Sequence, residues 1–152
     1  TKAEKILVDE NGAVSGVTAT DKDGNEFTID CTAVVLATGG FGANAKMVEE
    51  YNPKLAGFGT TNHAGATGDG IEMAKELGVQ FVDMDQIQTH PTVNPDTQTM
   101  YTEGVRGNGA ILVNKEGKRF VNELETRDVV SAAILEQADS AIWYLTRQSE
   151  TA

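Results

Sequence analysis

Thr32-Ala33-Val34-Val35-Leu36-Ala37-Thr38-Gly39-Gly40-Phe41-Gly42 is the stretch that sets the expected fold. Its first seven residues are largely apolar and do not alternate, the pattern of a strand buried on both faces, as in a parallel sheet. Glycines follow at once. A strand running into Thr38-Gly39-Gly40 has the geometry of a ligand edge in an α/β sheet. Ligands lie beyond the carboxyl ends of parallel strands, and glycine lets backbone N–H groups come close to them. A plain tight turn accounts for the same residues about as well. No complete dinucleotide fingerprint is present, because Gly65-Ala66-Thr67-Gly68-Asp69-Gly70 is too irregular and has no strand before it. Asp69 could contact a cofactor, but capping a helix explains it equally.

Upstream, Lys5 to Asp9, Val14 to Thr20 and Asn25 to Asp30 read as strands. The links Glu10-Asn11-Gly12 and Lys22-Asp23-Gly24-Asn25 are hairpin signals, since glycine takes positive φ freely. A small antiparallel meander is predicted. Downstream, Asn44 caps a short helix carrying Met47, Val48 and Tyr51, with Pro53 helping to end it. Asp69 reads as the N-cap of a second helix, with Glu72 three residues on, Ile71, Ala74 and Leu77 on one face, and Gly78 at C′. Gln80 to Met84 reads as a strand and Thr89 to Met100 as loop. Ala110 to Asn114 and Lys118 to Val121 read as a hairpin around Lys115-Glu116-Gly117. Asp128 reads as the cap of a helix over Val129 to Gln137. Ala141 to Leu145 reads as a strand whose partners are missing.

The 152 residues are 39% hydrophobic and 23% charged, a globular balance. No apolar run approaches the ~18 residues of a membrane span, and Ile6-Leu7-Val8 is too short for a secretory signal. Opening at Thr1 and not at Met, the chain is expected to be an internal piece of something larger. A net charge of −11 argues against a nucleic-acid partner. An anionic ligand must then be held by local cations in a cleft. The single cysteine, Cys31, excludes an internal disulfide and reads as a small buried hydrophobe. His63 and His90 have no carboxylate at ligand spacing, so no metal site is expected. Ser131 lies mid-helix without a base, so no hydrolytic triad is expected.

Five motifs carry a resemblance. Val34 to Phe41, Thr60 to Gly70, His90-Pro91-Thr92, Thr102 to Asn114, and Gly117 to Glu123 with Thr126-Arg127-Asp128 are similar, in order and spacing, to the soluble fumarate reductase flavoproteins. That wider family includes succinate dehydrogenase flavoprotein subunits, urocanate reductases and ketosteroid dehydrogenases. The resemblance covers residues 1 to about 145. It implies an α+β fold: part of an FAD-binding domain over residues 1–45, a substrate-capping domain over 46–145, and a tail over 146–152. The family's N-terminal glycine-rich unit and its C-terminal flavin segment, with a further substrate histidine and arginine, are expected to lie outside the chain.

The implied activity is reduction of fumarate to succinate, a small dicarboxylate pair. Reduced FAD supplies a hydride to one carbon, and the protein supplies a proton to the next. By resemblance His90 and Thr102 bind a substrate carboxylate, Arg127 donates the proton, and Glu103 and Arg106 relay protons to it. An arginine normally stays protonated, so that role requires transient deprotonation and immediate re-protonation. Taken as residues alone, Glu103 and Arg106 at i, i+3 suit a plain ion pair, and Arg127 suits a surface position. Arg119 reads as solvated surface. Thr38, Gly39, Gly40, His63, Gly68 and Asp69 are the implied cofactor-contacting residues. The same scaffold could act on urocanate or another acrylate, or the chain could be a cap module without activity of its own, holding FAD only in the parent enzyme. The physiological electron donor is not legible. A bacterial cytoplasmic, periplasmic or cell-surface setting is expected, as is self-association of the excised piece through open sheet edges.

Overall fold

The computed structural model describes residues 1–137 and 143–145. It divides into two compact units, Thr1–Gln86 and Ile87–Ala152. The first unit opens with the predicted meander: β1 (Lys2–Val8), β2 (Val14–Thr20) and β3 (Glu26–Asp30), antiparallel and in that order. Both turns use the same device. Asp9 Oδ1 accepts from the N–H groups of Asn11 and Ala13 at 2.8 and 2.9 Å. Asp21 Oδ1 accepts from Asp23 and Asn25 at 2.8 and 2.9 Å. An aspartate that bonds the backbone two residues on mimics a turn, and Gly12 and Gly24 supply the positive φ that closes each one. β1 starts earlier than predicted because Lys2 and Ala3 pair with Thr20 and Ala19.

Helix α1 (Ala45–Tyr51) follows, capped by Asn44, whose side chain accepts from Met47 N–H at 3.2 Å. Met47 is buried, and the Phe41 and Tyr51 rings meet at 5.4 Å. Helix α2 (Asp69–Glu76) differs from expectation at its start. Gly68, at φ 83°, is the cap, and Asp69 is the first helical residue, its Oδ1 accepting from the Thr67 hydroxyl at 2.8 Å. A glycine in the left-handed region reverses the chain without needing a side-chain cap. The buried face is Gly70, Met73 and Ala74, whereas Leu77 is exposed. Gly78 ends the helix with φ 74°, as predicted.

Two predicted strands do not form. Residues 32–38 join no sheet, and Val35 is 89% exposed. A parallel strand needs hydrogen-bonding neighbours, and no described residue supplies one. Gln80 to Met84 is likewise unpaired. Val82 is exposed and Asp83 sits at φ 56°, outside strand geometry. Cys31 is half-buried, directly after β3, so it is not the core hydrophobe expected.

The second unit holds α3 (Glu103–Gly107), β4 (Ile111–Val113), α4 (Arg127–Leu135) and β5 (Trp143–Leu145). β4 pairs antiparallel with β5, so the strand expected to be without a partner has one; residues 141 and 142 of that prediction lie outside the described residues. The predicted hairpin survives as a turn. Asn114 Oδ1 accepts from Glu116 and Lys118 N–H, Gly117 sits at φ 74°, and Arg119 bridges back to Val113. Leu112, Val130 and Ile134 form the core, with Phe120 and Val121 against it. Val130 and Ile134 are one helical turn apart, which fixes the inward face of α4. That helix starts two residues before the predicted point, with Thr126 and not Asp128 at its cap. Asp128 instead lies in the first turn. The Thr126 side chain and nearby N–H groups hold its carboxyl below the usual range. The earlier start makes Arg127 the first residue of α4.

Candidate active site

The expected cofactor residues lie in the first unit, and their packing shows how they are held. A Cβ built on Gly70 would stand 2.1 Å from Thr38 Oγ1. One on Gly68 would stand 2.5 Å from Met47 Sδ and 2.9 Å from Phe41 Cβ. The glycines of the 65–70 loop therefore let it lie directly against Thr38, Phe41 and α1. Ala43 N–H donates to Ala66 O at 2.9 Å and Asn44 Nδ2 to Thr67 O at 2.9 Å, which fastens the same contact. Gly39 (φ 76°) and Gly40 face open space, with nothing within 4 Å of a Cβ on either. His63 is exposed and folds back on its own loop, its Nδ1 accepting from Gly65 N–H at 3.0 Å. The result is a backbone edge with open space at Gly39 and Gly40, anchored from behind at Thr38. It leaves room for a ligand to come close to the backbone at those two glycines.

The polar cluster of the second unit centres on Glu103, at the start of α3. Arg127 Nε donates to Glu103 Oε1. Arg127 Nη1 donates to Gln88 Oε1 at 2.7 Å. Nη2 has no partner among the described residues. His90, with a side chain only 9% exposed, places Nε2 3.3 Å from Glu103 Oε1. That contact is short enough for attraction but out of line, and buried Nε2 is left without a hydrogen bond. His90 Nδ1 accepts from Thr92 N–H at 3.3 Å. A backbone N–H can only donate, so this bond assigns the imidazole proton to Nε2. The buried N–H thus points into the cluster with no aligned acceptor. Thr92 is fully buried and binds Tyr101 O through its hydroxyl at 2.7 Å, tying the His90 loop to the segment that enters α3.

Arg127 holds the Glu103 carboxyl down to about 2, chiefly by its hydrogen bond. The Glu103 N–H adds to this, desolvation opposes it, and the charge of Arg127 contributes further. Thr102 precedes Glu103 as the cap of α3, yet its hydroxyl makes no capping bond and is exposed.

Arg106 lies elsewhere than its spacing suggested. It is buried, its Nη1 donates to Glu123 O at 2.8 Å, and its Nε is without a partner. The i, i+3 ion pair with Glu103 does not form, because Glu103 turns to Arg127 and Arg106 turns into the interior. Arg119 is not free surface either. Its Nε and Nη2 grip the Glu123 carboxylate at 3.0 and 2.6 Å, and Leu112 N–H donates to the same group at 2.9 Å. Glu123 and Gln88 are the residues that sequence reasoning missed. Glu123 stood inside a quoted motif. Gln88 precedes His90 by two positions, and that spacing was its available signal.

The first unit thus carries an open glycine edge, and the second an arginine–carboxylate–histidine cluster. Residues 1–144 match the FAD binding domain model, and the chain belongs to that family. It is 50% identical over 135 residues to the NADH:fumarate oxidoreductase of Klebsiella pneumoniae (strain 342), covering 89% of this chain and 14% of that protein. To the urocanate reductase of Eggerthella lenta it is 44% identical over 154 residues, covering 97% of this chain and 25% of that protein. Among solved structures, the open conformation of a flavocytochrome c3 fumarate reductase superposes with a TM-score of 0.75 at 42% identity, covering 94% of this chain and 25% of that one. The chain thus spans about a quarter or less of the relatives it matches.

Proposed function

We propose that this chain carries the proton-delivering, substrate-capping part of an FAD-dependent reductase of unsaturated acids, with fumarate as the substrate and succinate as the product. The observation that supports it most is the Arg127 guanidinium fixed by Glu103, with Nη2 unengaged and the buried His90 N–H beside it. Residues 1–45 belong to the flavin domain in this reading and 46–145 to the cap.

The Thr38–Gly40 edge, with His63, Gly68 and Asp69 nearby, holds FAD, which when reduced supplies a hydride to one alkene carbon. The remaining steps fall to side chains. His90 Nε2–H and the free Thr102 hydroxyl donate to one substrate carboxylate, which orients the acid and draws electron density toward it. Arg127 gives a proton to the adjacent carbon as the carbanion character develops there. In this reading Glu103, which accepts from Arg127 Nε and is partly exposed, takes up a proton from solvent and passes it to the neutral guanidine left on Arg127. Arg106, one turn along α3, extends the relay by way of its buried guanidinium, and no hydrogen bond joins it to Glu103 in this conformation.

A second reading replaces fumarate with urocanate or a simple acrylate, since relatives with those names share the scaffold. Relatives named for fumarate reach 50% and 46% identity, against 44% and 39% for those named for urocanate and acrylate, which favours the dicarboxylate. The test is oxidation of a reduced viologen dye by the full-length flavin-loaded protein with fumarate, urocanate and acrylate in parallel. Preference for fumarate supports the proposal, and preference for a monocarboxylate moves it to the second reading. A colourless protein that retains no FAD and turns over none of the three overturns both and leaves a non-catalytic module.

A further inference from the structure

Arg127 begins α4, the end of a helix where the partial positive charge of the backbone disfavours a cation. Its side chain is 42% exposed and long. One bond from Nε to Glu103 leaves the guanidinium free to swing about that contact. The second bond, from Nη1 to Gln88 Oε1 at 2.7 Å, fixes the plane. Three nitrogens of a rigid planar group are then placed by two acceptors, and Nη2 has one position.

The chemistry of the second acceptor matters as much as its place. Arginine only donates, so the oxygen of Gln88 faces it and the amide –NH2 points away. Glu103 already balances the charge of Arg127. A neutral amide at 88 completes the grip without adding a second negative charge, which would repel an anionic substrate. Gln88 and His90 are two residues apart on one segment, and both address the Glu103–Arg127 pair, Gln88 through Nη1 and His90 at 3.3 Å.

We propose that Gln88 is a positioning residue: it clamps Arg127 for proton delivery, and its neutrality keeps the pocket receptive to an acid anion. This rests on the function proposed above and extends it to a residue outside the expected site. The test uses the full-length flavin-loaded protein with Gln88→Met, which keeps the length and loses the acceptor, and Gln88→Glu, which keeps the acceptor and adds charge. Bound flavin is expected to be unchanged in both. In Gln88→Met, kcat falls about tenfold to hundredfold while KM stays within about threefold, the split of an interaction that serves the transition state. In Gln88→Glu, KM for fumarate rises about tenfold or more, and added salt reduces the effect. Nitrogen NMR of the Arg127 side chain gives a readout apart from turnover: slow rotation about its Nη bonds in the wild type, and fast rotation in Gln88→Met.

An active wild type with Gln88→Met equal to it in kcat and in Arg127 rotation overturns this inference and leaves the function standing. A wild type that reduces no unsaturated acid overturns the function, and the inference falls with it.

Discussion

Glu123→Ala removes the carboxylate that joins β4 to the turn before α4, and its cost can be worked from the contacts. Glu123 is 4% exposed and Leu112, whose N–H it accepts, is fully buried. Leaving that N–H unmet costs about 1–3 kcal/mol. Arg119 is 56% exposed on its side chain and regains water, so loss of its ion pair adds little. Deleting the buried methylene adds about 0.8 kcal/mol. The sum centres on about 3 kcal/mol, set mainly by the unmet buried N–H. Glu123→Gln keeps an acceptor for Leu112 and loses about 1 kcal/mol. The assay is urea unfolding at neutral pH followed by circular dichroism. Burial pushes the Glu123 carboxyl up, but Arg119 and Leu112 N–H outweigh it and hold it below its ordinary 4.5. Its charge therefore stabilises the fold fully above that value and less as pH falls through the lowered one. The gap between wild type and Glu123→Gln should accordingly narrow in acid. Glu123→Ala within about 0.5 kcal/mol of wild type would mean that the Leu112 N–H does not depend on this carboxylate.

Two further outcomes are expected. In a carbon NMR titration, the Glu103 carboxyl should titrate near 2, and the Arg127–Glu103 attraction should be complete above 4.5 and fade as pH falls toward 2. A wild-type midpoint at 4.5 would contradict the pairing. Gly70→Ala puts a Cβ 2.1 Å from Thr38 Oγ1 and must displace the glycine edge, so the full-length protein should lose FAD on desalting. Gly107→Ala, which meets nothing within 4 Å, serves as the control that retains it; equal retention in both would argue against the assigned edge.

The meander and α1 were legible because local chemistry decides them: Asp-x-x-Gly turns, alternation, and Asn44 at a cap. The strand expected at 32–38 was not, because a buried strand is a property of its neighbours, and the apolar run carries no record of whether they are present. Cap positions shifted by one or two residues at Asp69 and Asp128 for a related reason. An acidic residue stabilises a helix start from the first turn as well as from the cap, and sequence alone does not separate the two. Arg127, Glu103 and His90 were legible only through the motifs that carry the family resemblance. Spacing alone paired Glu103 with Arg106. The fold instead brought Glu103 to an arginine 24 positions away and sent Arg106 to a buried carbonyl. Gln88 had no signal beyond its place two residues before His90.

The proposed function rests on delivery of the proton by Arg127. Its most direct test is turnover of fumarate by the full-length Arg127→Ala protein, with flavin content and fumarate affinity measured on the same sample. Intact flavin, fumarate binding within about tenfold of wild type, and turnover lower by about 10²–10⁴, the range for loss of a general acid, are expected. Turnover close to wild type with flavin bound would contradict it.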